Sequence, residues 1–208
     1  MLTLDETDNR LHNPANGQGY DPATRTWSAS PGRGGTPVSL SAAAHWLQRR
    51  SGHPLKQPVA VIGPRDAGSE QLAAAEALGV GLAGIGFSVV CGGRQGIMEA
   101  VCRGVASGGG ISIGLLPETD VKNANPYVTI PIATGIGEAR NVLVARAGFC
   151  IVAIGDSYGT LSEVALGLQF GRPVLGLCGA AKVEGVRHLP GVDAAIDAVA
   201  AIALGLPG

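Results

Sequence analysis

From Pro58 onward the chain alternates short, unbroken apolar runs with longer stretches whose apolar residues recur at helical spacing. The runs Val59 to Ile62, Phe87 to Cys91, Ile111 to Leu116, Phe149 to Ile154 and Val174 to Cys178 predict strands, with a further extended piece from Tyr127 to Ile132. Between and after them, helices are predicted from Ser69 to about Ala83, Gly96 to about Ala106, Gly137 to about Ala147, Thr160 to Phe170 and Asp193 to Leu204. A strand that is apolar at every position is buried on both faces, and crossover helices between such strands require a parallel sheet covered on both sides. The fold class is therefore α/β, a Rossmann-like doubly wound parallel sheet with helices on both faces. In such sheets a ligand binds beyond the carboxyl ends of the strands, where strand order reverses, so the residues that follow strands carry the functional information.

Residues 1–36 break this rhythm. They are rich in Asn, Gly, Pro, Asp and Thr, and Tyr20 to Thr24 followed by Trp27 reads as a turn between two short extended pieces. The expectation is a polar N-terminal arm or hairpin, lying on the surface or acting as a lid or dimer clasp. Ser39 or Ser41 then caps a short helix through Arg50, with Gly52 just past its end and Leu40, Ala43, Ala44 and Leu47 on one apolar face. With 208 residues available for one sizeable core, residues 37–208 read as a single Rossmann-like ligand-binding domain.

Composition narrows the function. At 46% hydrophobic and 15% charged residues, disorder is excluded, and the 33 glycines follow no period, so they mark turns and close backbone approaches. Net charge is −1 and the 15 basic residues form no stripe, which argues against a nucleic-acid partner. Cys91, Cys102, Cys150 and Cys178 form no C-x-x-C pair, and His12, His45, His53 and His188 have no ligand spacing, so no metal site is signalled. Apolar surroundings make the thiols buried groups of a reducing compartment. The first residues do not read as a basic-then-apolar leader, and no apolar run approaches the ~20 residues of a spanning helix. The expectation is a soluble cytoplasmic protein without a membrane partner.

The post-strand loops hold the candidate chemistry. Gly63-Pro64-Arg65-Asp66-Ala67-Gly68 combines bare backbone at Gly63 with an arginine, Arg65, suited to an anion. Cys91-Gly92-Gly93-Arg94-Gln95-Gly96 opens a helix whose free N–H groups favour a phosphate, with Gly92, Gly93, Arg94 and Gly96 as binding candidates. It is neither G-x-G-x-x-G after the first strand nor a Walker loop. Gly135 to Asn141 places Glu138, Arg140 and Asn141 at a helix start. Gly155-Asp156-Ser157-Tyr158-Gly159-Thr160-Leu161-Ser162-Glu163 is a glycine-bearing turn at a helix N-terminus with hydroxyls and, one turn inside, a carboxylate; Gly155, Asp156, Ser157, Gly159, Thr160 and Glu163 join the candidates. Each glycine also has a plain packing reading, Glu163 a helix-dipole reading and Arg140 a surface ion-pair reading.

The pair formed by Gly92-Gly93-Arg94-Gln95-Gly96-Ile97-Met98 and the Gly155 to Glu163 turn resembles the LOG superfamily, once described as lysine decarboxylase-like, over about residues 58–180. Met98 to Gly104 and Gly135 to Asn141 look closest to its branch of molybdenum cofactor carrier proteins. In the hydrolase branch a glutamate ending P-G-G-x-G-T-x-x-E and an arginine in an E-R-K-like motif release the base from a nucleoside 5′-monophosphate; by resemblance those catalytic roles fall on Glu163 and Arg140. Gly155-Asp156-Ser157 departs from Pro-Gly-Gly and sets a carboxylate where a phosphate would pack, and Asn141 replaces a lysine. Two readings stay open: a binding or carrier protein for a phosphate-bearing, nucleotide-like ligand, with molybdenum cofactor the ligand the branch implies, and a LOG-type phosphoribohydrolase. A third is a ligand sensor whose arm meets a partner. The resemblance also implies a homo-oligomer.

Overall fold

The computed structural model describes residues 1–30 and 34–206; residues 31–33, part of the expected arm, and 207–208 lie outside the described residues. The chain divides into two units, Met1–Leu55 with Asp197–Gly208, and Lys56–Ile196.

In the first unit, strands β1 (Leu2–Asp5), β2 (Arg10–Asn13), β3 (Gln18–Asp21), β4 (Thr26–Ala29) and β5 (Thr36–Val38) form an antiparallel sheet of order β4-β3-β2-β1-β5. One turn design recurs at constant spacing. The side chains of Asp5, Asn13 and Asp21 accept from the backbone N–H of Thr7 (2.8 Å), Ala15 (3.2 Å) and Ala23 (2.9 Å). Asn9, Gly17 and Arg25 then close each turn with positive φ. Helix α1 (Leu40–Arg49) is capped by Ser39, whose hydroxyl accepts from the Ala42 N–H at 3.1 Å.

The turn expected from Tyr20 to Thr24 does join two paired extended pieces, β3 and β4, but they belong to a five-stranded sheet and not to a polar arm, in a unit that runs through Leu55. Leu2, Leu4, Leu11 and Tyr20 are apolar groups that a solvated arm would leave wet; here they are buried with Ala43, Trp46, Leu47 and Leu204. Trp46 donates its indole N–H to Asn9 Oδ1 at 2.6 Å and Trp27 donates to the Leu204 carbonyl at 2.7 Å, so the buried indoles keep their polar atoms satisfied.

The second unit carries a seven-stranded, wholly parallel sheet, which is the expected doubly wound class. Along the chain run β6 (Val59–Ile62), α2 (Ser69–Ile85), β7 (Val89–Cys91), α3 (Ile97–Ser107), β8 (Ser112–Leu116), β9 (Ile130–Ala133), a 3₁₀ turn (Gly137–Arg140), α4 (Asn141–Ala147), β10 (Ile151–Ile154), α5 (Tyr158–Gln169), β11 (Val174–Leu177), β12 (Val186–His188) and the start of α6 (Val192–Ala203). Sheet order is β12-β11-β10-β6-β7-β8-β9. Strand β12 falls outside the expected set: Val186-Arg187-His188 has too little apolar character to read as a strand and pairs as a sheet edge. The helix expected from Gly137 splits into the 3₁₀ turn and α4. Every residue of β6, β7, β10 and β11 is buried. Helices α2 and α3 approach so closely that a side chain on Gly79 would strike the Val101 carbonyl, and one on Gly104 the Glu76 carbonyl. Among the described residues no helix is long and apolar enough to cross a membrane.

Candidate functional site

The chain lays β7, β8 and β9 on one side of β6 and β10, β11 and β12 on the other, so strand order reverses between β6 and β10. A cleft of about 690 Å³ opens there, above the carboxyl ends of the strands. Of the residues expected to meet a ligand, it brings together Gly63, Arg65, Gly92, Arg140, Asn141, Asp156, Ser157, Gly159, Thr160 and Glu163. Pro64, Asp66, Met98, Glu138, Tyr158 and Ser162 share the lining.

At its base sits an arginine that surface reasoning would place in water. Arg140 is 4% exposed and Glu163 is 6% exposed, with Arg140 Nη1 donating to Glu163 Oε1 at 3.3 Å and to Asn141 Oδ1 at 2.5 Å. Its Nε has no hydrogen-bond partner. The seat exists because residue 92 is glycine: a Cβ there would lie 2.8 Å from Arg140 Cζ and 2.7 Å from Met98 Sδ. Asn141 in turn donates to Ser162 Oγ at 3.0 Å, and Ser162 donates to the Gly159 carbonyl at 2.7 Å, tying α4 to the first turn of α5. Burial raises the Glu163 carboxyl to about 8; the Arg140 guanidinium pulls the other way and Glu138 adds to the rise. Geometry alone would suggest a full ion pair, but desolvation of the carboxylate outweighs the pull of the guanidinium, so Glu163 is largely a neutral acid at neutral pH.

The upper walls are more solvated. Arg65 donates to Glu138 Oε1 at 3.2 Å, joining the loop after β6 to the 3₁₀ turn. Ser157 is the N-cap of α5, accepting from Thr160 N–H at 3.1 Å. The α5 N-terminus thus faces the cleft with one orphan donor satisfied from within.

Gly93, Arg94, Gly96 and Gly155 do not line the cleft. Arg94 forms an ion pair with Glu118. Gly93 lets its backbone pass Gly114, a Cβ there standing 3.0 Å from Gly114 Cα, and its carbonyl accepts from the Asn125 N–H at 2.9 Å. Gly96 has φ +72°, and a side chain on it would strike the Pro64 and Arg65 carbonyls, where the Ile97 N–H also bonds Pro64 at 3.1 Å. Gly155, φ +67°, makes room for Gln71, which bonds the Cys178 carbonyl at 2.9 Å. These residues shape the loops, whereas Tyr158, Asp66 and Met98, outside the candidate set, face the cavity. Their signal was adjacency: Asp66 and Tyr158 lie within loops already singled out, and Met98 closes the Gly92 to Met98 motif.

Cys91, Cys102 and Cys150 are buried free thiols, as expected, while Cys178 is half-buried. Among the described residues no cluster of His, Cys, Asp or Glu has the makings of a metal site.

The sequence profile of the SLOG cluster4 family matches residues 56–197. An uncharacterized protein of Archaeoglobus fulgidus is 33% identical over 140 residues, 67% of this chain and 91% of the relative. Among solved structures, the molybdenum cofactor binding protein from the phototrophic bacterium Rippkaea orientalis is similar with a TM-score of 0.68 and 31% identity, over 71% of this chain and 98% of that one. The molybdenum cofactor carrier protein from Chlamydomonas reinhardtii gives 0.65 and 34%, again over 71% of this chain and 98% of that one.

Proposed function

The chain belongs to the SLOG cluster4 family, a LOG-like group near the molybdenum cofactor carriers, and from that premise we propose that it is a cytoplasmic binding or carrier protein for a phosphate-bearing, nucleotide-like ligand, with molybdenum cofactor the foremost candidate. The observation that carries this reading is the buried Arg140 guanidinium facing the switch-point cleft beside a carboxyl that burial raises to about 8. A cation withdrawn from water and only partly neutralised is completed by an incoming anion. Gly63, Gly92 and Gly159 leave bare backbone beside it, and Arg65, paired with Glu138, supplies a second positive charge at the mouth. Base release would draw on Glu163 as an ionised carboxylate, to stabilise positive charge on the ribose or to orient water. Here burial keeps that group largely protonated and its Oε1 already accepts from Arg140, which favours holding the ligand over cleaving it.

Mass spectrometry of whatever co-purifies with the protein, run beside a base-release assay on nucleoside 5′-monophosphates, tests the reading. A bound pterin or intact nucleotide with no free base is the expected result. Base release that disappears in Glu163→Ala would replace the carrier reading with a phosphoribohydrolase.

A further inference from the structure

The anion site occupies the base of the cleft, and a separate wall is made by the turn after β10. Ser157 in that turn is fully extended, φ −164° and ψ 167°, with its hydroxyl turned back to cap α5. In extended backbone alternate side chains point the same way, and the neighbours Asp156 and Tyr158 both line the cleft. Tyr158 is 95% exposed, an aromatic face standing free at the rim. Among the described residues the Asp156 carboxylate has no ion-pair or hydrogen-bond partner. Glu138, by contrast, is held by Arg65.

A free carboxylate repels a phosphate, so this wall faces a different part of the ligand. Two carboxylate oxygens match two parallel N–H donors, the geometry by which they pair with a guanidinium. A ring edge with a protonated ring nitrogen next to an exocyclic amino group offers the same two donors. Resting on the anion-site reading above, we infer that Asp156 and Tyr158 form the ring-reading half of the site, selecting fused heteroaromatic rings with a 2-amino-4-oxopyrimidine edge, the edge shared by guanine and the pterins. Tyr158 covers the ring face and Asp156 accepts from the ring N–H and the 2-amino group. Hypoxanthine lacks the amino group, and adenine lacks the ring N–H beside one.

Calorimetric titration with GMP, IMP, AMP and ribose 5-phosphate tests this on the full chain. GMP binds about tenfold or more tighter than IMP and AMP. In Asp156→Asn that preference collapses while ribose 5-phosphate binds as well as before or better. Tyr158→Ala weakens all the ring-bearing ligands and leaves ribose 5-phosphate unchanged; its side chain is solvated, so the fold does not depend on it. Guanosine against 6-hydroxymethylpterin, both without phosphate, decides which source of the edge is preferred. Equal affinity for the three nucleotides, or a guanine preference that survives Asp156→Asn, overturns the inference and leaves the anion site standing. Failure of ribose 5-phosphate and every nucleotide to bind overturns both.

Discussion

Withdrawing a guanidinium from water is tolerated where hydrogen bonds and an opposite charge replace the solvent, and Arg140 has these only in part. Its position depends on a missing methyl group. Gly92→Ala sets a Cβ against Arg140 Cζ and Met98 Sδ, so the guanidinium leaves its seat; phosphate-ligand affinity falls about tenfold or more by titration, with the circular dichroism of the fold retained. Glu163 makes a second prediction. Its carboxyl lies at about 8 in the native state against an ordinary 4.5, so between those values the folded protein holds a proton that the unfolded chain has released. Stability is therefore greatest below the lower value, falls as pH rises through the window, and levels off above about 8. Glu163→Gln flattens that slope, which is on the order of a few kcal/mol in all, as read by denaturant unfolding across the pH range. At this scale post-strand position and residue type singled out Gly63 and Gly92, which line the cleft, whereas Arg140 and Glu163 were tipped towards the site by the resemblance. The parts played by Gly93, Arg94, Gly96 and Gly155 were not legible: what each serves, Asn125, Glu118, the Pro64 carbonyl or Gln71, is brought near only by the tertiary fold.

Helices α2 and α3 interlock through glycines whose role is space. Gly104→Ala would press a methyl group onto the Glu76 carbonyl, an atom of helix backbone that cannot turn aside, and costs about 1–3 kcal/mol in urea unfolding. Ser157→Ala removes the cap of α5 and costs about 1 kcal/mol, with a matching loss of order in the turn that carries Asp156 and Tyr158. The parallel sheet was legible at this scale because its strands are apolar at every position. Of the meander of β1 to β4 only the turn between β3 and β4 was legible, since its strands are four residues long and their buried positions follow no regular alternation. Its signal is the constant spacing of Asp5, Asn13 and Asp21 and of Asn9, Gly17 and Arg25, a periodicity of turns instead of hydrophobic positions.

For the molecule as a whole, the family match covers residues 56–197 and leaves the N-terminal sheet without a counterpart in it. For the homo-oligomer implied by resemblance we propose an interface that includes Leu143 on α4 and Leu161 on α5, which stand 41% and 37% exposed on helices that pack together. Sedimentation velocity is expected to show a dimer or larger species, and Leu143→Glu with Leu161→Glu to shift it to the monomer. The order of strands also sets a timetable. Ala60 in β6 pairs with Ile151 in β10, so the first wall of the cleft waits through three further strands before its partner exists. On the ribosome the chain emerges from its N-terminus, and Gly63 and Gly92 are exposed long before Arg140 and Glu163 arrive. A ligand that needs both halves of the cleft therefore finds its site complete only once α5 has left the exit tunnel.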